Sequence, residues 1–371
     1  MGAPALAALA PPRLEQAWAD TVAAFRDPAS EERRRLSPAL TRLSGLSPPG
    51  AAAGLEVVLR GVAGGPAEAL LVGAEPGGGG LVVVVLAANL PGLAVQPLLR
   101  ALAARCPVIL KSPSAEPLFA PAFVDALRRR EPGLDDALAA VTWPGGDRAL
   151  EAPLLAAARA VVAYGEDETL ADLARRAPGK VRGHGPKASL AVLGPGADPQ
   201  AVAPALARDV ALFDQRGCLS VQAVYAPPAQ AGALAAALAR ALESLALDLP
   251  PGPLDPELAA RVQQVRAEAA MRGLRIAELP LRHGTVIVEN HAAFRPSPGL
   301  RTVRIHPLGE LERLAEWLAP WRGRLQGAAL AGRLPADLRA VLAGLGVSRF
   351  APAGELQAAD ATWENLAMAL G

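Results

Sequence analysis

The chain has 371 residues, 51% hydrophobic and 20% charged, with 37 Lys+Arg against 36 Asp+Glu and a formal net charge of +1. That length suggests about two domains and a core that needs neither metal nor disulfide to hold it. The even charge balance removes any electrostatic case for nucleic acid or an anionic membrane surface. The two cysteines and four histidines make neither a disulfide framework nor a zinc spacing, so no metal is expected and a reducing cytoplasm fits. The N-terminal stretch has an apolar run without a basic region ahead of it, so no signal peptide is expected. The longest apolar run, LVVVVLAA from Leu81, is too short to cross a bilayer and too β-branched for a helix. No stable membrane insertion is expected.

In chain order, residues 12–46 read as two amphipathic helices, around LEQAWADTVAAF and SEERRRLSPALTRL, with Ser30, Glu31 and Glu32 marking the second start. EVVLRGV and AEALLVG, joined by AGGP, read as a β-hairpin. PGGGG at 76–80 is a loop. From Leu81 the pattern becomes strand–helix alternation: a buried strand, a helix over 93–105, strand PVILK, a helix over 117–130, a strand at AAVTW, a helix over 149–159 and strand AVVAYG. Buried strands separated by helices imply a parallel sheet covered on both faces. A second alternation runs from 188: ASLAVLGPGAD, a helix over 200–208, strand 220–226, helices over 229–247 and 256–271, and strands near 273–278, 284–289 and 302–306. Helix 309–319, strand GAALAG, helix 335–343, strand 347–351 and a short terminal helix WENLAMAL close the chain.

Ligands in such folds bind outside the carboxyl ends of the strands, and that edge of the first sheet carries Asn89, Lys111 and Gly165. No G-x-G-x-x-G follows any of these strands. Cys218 stands between Gly217 and the alternating run from Ser220 to Tyr225. A thiol at such a turn suits a nucleophile that takes an acyl group, and it also suits a small buried apolar residue. Cys106 opens an apolar strand and reads as structural.

Several stretches together resemble the aldehyde dehydrogenase superfamily, and within it the LuxC-like acyl-CoA reductases. AANLPG at 87–92 is similar to a Pro-Trp-Asn-Pro-like segment of that family. CPVILKSPSAEP at 106–117 is similar to its Val-Leu-Lys-Pro-Ser-Glu segment. GHGPKASLAVLGPGAD at 183–198 is similar to the Glu-Leu-Gly-Gly-Lys stretch, FDQRGCLSVQ resembles the cysteine loop, and GELQAADATWEN at 354–365 resembles the C-terminal segment. The likeness covers roughly 50–371 in consistent order.

The resemblance implies an α/β, aldehyde-dehydrogenase-like fold: two three-layer domains with parallel sheets and an active-site crevice between them. A cofactor-binding domain is expected at 1–187, with 346–371 returning to it, and a catalytic domain at 188–345. Cys218 would attack an acyl-CoA thioester, and hydride would reduce the resulting acyl-enzyme to the aldehyde. The resemblance gives Asn89 the role of oxyanion donor beside the Cys218 backbone N–H, a placement worth about 3 kcal/mol; an asparagine there also suits a strand-to-helix turn. It gives Lys111 the adenosine ribose, with Ser112 and Ser114 as phosphate donors or turn residues. NAD-preferring relatives carry a carboxylate where this chain has Ser114, so a 2′-phosphate meets no repulsion and NADPH is expected. Gly183 stands where hydrolytic relatives have the glutamate that activates water, so the acyl group should survive until hydride arrives. His184 beside it reads as a structural histidine.

Two departures bear on the cofactor. The pyrophosphate turn appears as Gly165-Glu166-Asp167, whose carboxylates repel a pyrophosphate. The Glu-x-Phe-Gly-Pro segment appears as residues 294–299, FRPSPG, without its glutamate. They motivate the alternative of a non-catalytic binding or scaffold protein. A reductase or dehydrogenase acting on another activated acyl group or a free aldehyde is the other alternative. The resemblance also implies a homodimer and an acyl-donating partner enzyme.

Overall fold

Alternation along two short strands decides the first sheet. In the computed structural model, which describes residues 3–73, 79–88, 90–277, 279 and 283–363, the valine run forms β1 (Val82–Val85) and VILKS forms β2 (Val108–Ser112). With β3 (Leu138–Thr142), β4 (Ala160–Tyr164) and β5 (Val181–His184) they make a five-stranded sheet in the order β3-β2-β1-β4-β5. Every pairing is parallel. Val82, Val84 and Leu110 enter one core cluster, whereas Val83, Ile109 and Val161 enter another. Successive side chains in a strand point to opposite faces, so both faces are covered and the strands read as unbroken apolar runs.

The larger of these cores is stapled by aromatic rings. The helix Pro11–Arg26 buries Leu14, Ala17, Trp18, Val22 and Phe25, a helical spacing that makes one apolar stripe. Against it the helix Phe119–Arg130 brings Phe119 and Phe123. Trp18 and Phe123 meet edge-to-face at 5.5 Å, and Phe25 lies 5.0 Å from Phe123. Such pairs add about 0.5–1.5 kcal/mol each beyond the area they bury. The Trp18 indole N–H donates to the Val62 carbonyl at 2.8 Å, so the ring is buried with its polar edge satisfied.

The second sheet has seven strands. β6 (Ala188–Leu193), β7 (Val221–Ala226), β8 (Arg275–Ile276), β9 (Thr285–Val288), β10 (Thr302–Pro307), β11 (Leu325–Ala331) and β12 (Arg349–Pro352) lie in the order β12-β11-β6-β7-β10-β9-β8. All pairings are parallel except β8 with β9, which is antiparallel. The helices Pro199–Ala211 and Pro228–Asp248 pack on each other beside this sheet. The chain divides into two compact units: Met1–Ser44, Gly54–Pro186 and Ala358–Gly371 form the first, Gly45–Ala53 and Lys187–Gln357 the second.

Four features differ from the reading of the sequence. The expected hairpin is a pair of helices, Pro48–Gly61 and Gly65–Gly73. Leu55, Leu59, Val62, Ala67 and Leu71 are all buried in the larger core, and their spacing of three to five residues fits a helix face. Tertiary burial there overrides the β-propensity of Val57 and Val58. The helix Asp167–Arg176 and strand β5 were not anticipated; β5 pairs on one side only and exposes Arg182 and Gly183, so it lacks an apolar signature. β12 pairs with β11 in the second sheet, so the return to the first unit begins at 358 rather than 346. Asn89 and positions 364–370 of the expected terminal helix lie outside the described residues.

Candidate active site

Cys218 lies in a turn closed by Ser220 N–H donating to the Gly217 carbonyl at 3.0 Å. The turn follows a short left-handed stretch: Phe213, Asp214 and Gln215 have φ of 58°, 50° and 65°. Each such non-glycine residue costs about 1–3 kcal/mol and persists only where its surroundings over-determine it. Those surroundings are specific. Gln215 is buried and uses its amide fully: Nε2 donates to the carbonyls of Val221 and Thr302, both at 2.8 Å. Its Oε1 accepts from Thr302 N–H at 2.9 Å and from Ser297 Oγ–H at 2.9 Å. Asp214 accepts from Arg301 Nη2 at 2.7 Å and Nε at 3.0 Å, and from Gly252 N–H at 2.8 Å. Arg301 is itself left-handed, as is Leu300, so this buried ion pair ties two left-handed segments together.

The turn itself is held from β6, and the 354–357 segment holds the end of the helix before it. Ser189 Oγ–H donates to the Cys218 carbonyl at 2.7 Å. Gln357 Nε2 donates to the Asp209 carbonyl at 2.8 Å. Gly327 on β11 is required by close approach: a Cβ there would stand 2.9 Å from both Leu219 Cδ2 and Ser189 Oγ. FRPSPG, the segment without its glutamate, acts here through Ser297 and through Phe294, which packs edge-to-face on Trp321 at 4.8 Å.

Cys218 is half-buried. Burial pushes its thiol up to about 11, while its own N–H, the Lys187 ammonium and the Leu219 N–H pull it back. Lys187 Nζ donates to the Gly323 carbonyl at 3.0 Å. The sulfur therefore stands where backbone N–H groups stabilise negative charge, yet it rests as a thiol at neutral pH. Since the thiolate is the nucleophile, alkylation of Cys218 by iodoacetamide is expected to rise about tenfold per pH unit between roughly pH 7 and 10. A plateau above pH 8 in a rate series corrected with Cys218→Ala would contradict this. Cys106 is fully buried, and burial raises its thiol as well.

Asp209, at the end of the helix that leads into the loop, accepts from Gly354 N–H at 2.6 Å and Leu356 N–H at 3.1 Å. Burial outweighs these bonds and raises its carboxyl to about 6. In the unfolded chain the same group titrates near 4. The folded state thus binds the proton more tightly, so the stability cost of the ionised carboxylate is present above pH 6 and is relieved as pH falls from 6 toward 4. The change is about 2–3 kcal/mol. Denaturant titrations at pH 7 and pH 5 should show Asp209→Asn flattening the pH dependence of wild type across this window.

In the first unit, Lys111 and Ser112 are buried at the end of β2. Lys111 Nζ stands 6.0 Å from the Trp143 ring centroid; burial lowers its pKa and Glu151 raises it. Among the described residues Ser112 Oγ is buried without a partner, whereas Ser114 is exposed and donates to the Trp143 carbonyl at 3.5 Å. Gly183 on β5 is exposed, and the adjacent His184 ring stacks on Tyr164 at 4.7 Å. Gly165 follows β4, and a Cβ there would make only ordinary contact, 3.6 Å, with Thr169. The helix after it begins with Asp167 and Glu168. A nicotinamide cofactor therefore fits this unit in part. The orphaned Ser112 hydroxyl and Lys111 suit a ribose hydroxyl or phosphate, while the acidic helix start does not suit a pyrophosphate. Among the described residues no group of three or more His, Cys, Asp or Glu is placed to hold a metal ion.

With this geometry in hand, the family described as acyl-CoA reductase (LuxC) matches residues 75–365. The chain belongs to that family. A curated relative, the long-chain acyl-protein thioester reductase of Aliivibrio fischeri, is 25% identical over 240 residues, 63% of this chain and 50% of that protein. The protein of the same description from Photorhabdus laumondii is 26% identical over 245 residues, 64% of this chain and 51% of its own length. The chain thus spans about half the length of the curated relatives it matches. Among solved structures, an NAD-dependent benzaldehyde dehydrogenase from Corynebacterium glutamicum has a TM-score of 0.75 at 15% identity, covering 96% of this chain and 83% of that one. The fold is accordingly that of the aldehyde dehydrogenases. Within this LuxC-family chain, Cys218 stands on a turn and Lys111 and Ser112 stand buried at the end of β2. The part that Gln215, Asp214, Arg301 and Ser189 play in holding the cysteine loop was missed: Asp214 and Gln215 lie inside FDQRGCLSVQ and Ser189 inside the 183–198 stretch, but their resemblance to family segments assigns them no such role, and Arg301 stands outside every quoted segment.

Proposed function

We propose that this chain reduces a long-chain fatty acyl thioester to the aldehyde with NADPH, through an acyl thioester on Cys218. The observation that carries the reading is the Cys218 sulfur on a turn locked by buried hydrogen bonds, with the Cys218 and Leu219 N–H groups beside it. Cys218 Sγ attacks the acyl carbonyl carbon, the bond from that carbon to the CoA sulfur breaks, and CoA leaves as its thiol. Backbone N–H groups at the turn stabilise the oxyanion that forms on the way; Asn89 is proposed as a second donor. When bound, the reduced nicotinamide supplies a hydride to the acyl carbon. The thiohemiacetal on Cys218 then collapses, the C–Sγ bond breaks, and aldehyde leaves with the thiolate restored. One acyl-CoA, one NADPH and one proton give one aldehyde, one CoA and one NADP+.

Lys111 and Ser112 would hold the ribose and its 2′-phosphate, with Ser114 and Gly165 at the rim of that site. Gly183 offers no carboxylate to activate water, which protects the acyl-enzyme from hydrolysis. The curated relatives are called acyl-protein thioester reductases, which favours a second donor: an acyl group delivered on a partner enzyme's thiol or hydroxyl. Comparing NADPH oxidation with tetradecanoyl-CoA and with an acylated protein donor decides between them. No oxidation with either donor, in protein that binds NADPH, would overturn the reductase reading. Two free cysteines favour the cytoplasm, and a homodimer is the assembly we expect. Among the described residues no helix is long and apolar enough to cross a membrane.

Lys111→Ala is expected to weaken NADPH binding about tenfold or more and NADH binding less, because it removes the cation opposite a 2′-phosphate. Fluorescence titration with both cofactors reads this difference, and equal losses would contradict the NADPH assignment.

A further inference from the structure

We infer that the second unit carries a binding site for a small aliphatic carboxylate in a cavity of about 290 Å³ bordering the cysteine loop. The volume stands at the lower end of the ~300–1,000 Å³ range of small-molecule sites. One wall is apolar: Leu254, Ala259, Val262 and Leu300. Leu254 is 67% exposed, a large aliphatic side chain at the rim with nothing covering most of it.

The charges lining the cavity do not cancel. Asp214 is neutralised by Arg301 at 2.7 Å. His283 faces Glu243, with Nδ1 3.8 Å from the carboxylate. Arg266 is half-buried and donates to Thr285 Oγ1 at 3.1 Å. Among the described residues it has no carboxylate within ion-pair distance. A guanidinium bonded on one side to a neutral hydroxyl, against an apolar wall, keeps a planar donor fork for an anion. A carboxylate fills that fork, and an alkyl chain of the same molecule covers Leu254, Val262 and Leu300. A short fatty acid has both halves. A purely inorganic anion leaves the wall wet, and a neutral alcohol leaves the guanidinium without a counter-charge.

The site also borders backbone that sets the thiol's position, since Asp214, Leu300 and Arg301 are all left-handed. It is nevertheless separate from the sulfur, because Cys218 is absent from its lining.

Calorimetric titration with octanoate, octanol and acetate tests the inference in the 371-residue chain without CoA or NADPH. Octanoate is expected to bind about tenfold or more tightly than either of the others. Arg266→Gln should weaken octanoate about tenfold or more, and Leu254→Asp, a change at an exposed rim position, should weaken it through like-charge repulsion. Cys218→Ala should bind octanoate with unchanged affinity, which separates this site from acyl-enzyme formation. Octanoate binding no tighter than octanol or acetate, or unaffected by both rim variants, overturns the inference. Loss of binding in Cys218→Ala places the ligand at the thiol and overturns it equally.

Discussion

Replacing Cys218 by alanine is expected to lower aldehyde formation from tetradecanoyl-CoA and NADPH by at least about 10³-fold, with the fold intact. Removing a nucleophile elsewhere in enzymes costs this much or more, and what remains comes from binding and oxyanion stabilisation. The fold should survive because the half-buried thiol carries no hydrogen bond on which the loop depends; the loop is held through the Cys218 carbonyl, which Ser189 grips at 2.7 Å. Cofactor affinity should be unchanged, because Lys111 and Ser112, the residues proposed to hold the cofactor, belong to the other unit. Equal aldehyde yields from wild type and Cys218→Ala in a coupled gas-chromatographic assay would remove the covalent mechanism. Cys218→Ser should also be inactive, since a hydroxyl is a far weaker nucleophile than a thiolate and a poorer leaving group from the reduced carbon.

The second large effect concerns the ion pair beneath the loop. Asp214 and Arg301 are both almost fully buried. Arg301 also donates to the Leu249 carbonyl at 2.9 Å, so its guanidinium ties two other segments to its own. Taking away one member of a buried pair leaves an unpaired charge in a dry site, which costs about 3–5 kcal/mol. Arg301→Met is therefore expected to lower unfolding free energy by that amount and to slow acylation of Cys218, because the left-handed segment loses the contact that fixes it. The exposed Arg313–Glu316 pair, 3.1 Å apart, serves as the contrast, since exposed pairs contribute little. Arg313→Met should leave the denaturation midpoint where it is. Equal shifts for the two variants would mean that the Asp214–Arg301 pair does not anchor the loop.

How much of this was legible depends on what each residue does. Strands buried on both faces announce themselves, so the runs at 82–85 and 108–112 gave the first sheet directly. The cysteine turn and Lys111 were visible because they sit in motifs whose order is shared with a known family. The helices at 48–61 and 65–73 were misread because Val57 and Val58 look like strand, and only the core decides which period wins. β5 was invisible because an edge strand with two exposed positions carries no hydrophobic pattern. The role of Gln215 was invisible for a different reason: its partners at Val221, Thr302 and Ser297 are up to 87 residues away. A four-bond lock of that kind exists only in three dimensions.

The most direct test of the central claim is the mass of the enzyme after incubation with tetradecanoyl-CoA in the absence of NADPH. The account predicts one added tetradecanoyl group per chain, located on the peptide that contains Cys218, released by hydroxylamine and discharged as aldehyde when NADPH is added. Aldehyde formed with no label on Cys218, or a stable label carried on another residue, would contradict it.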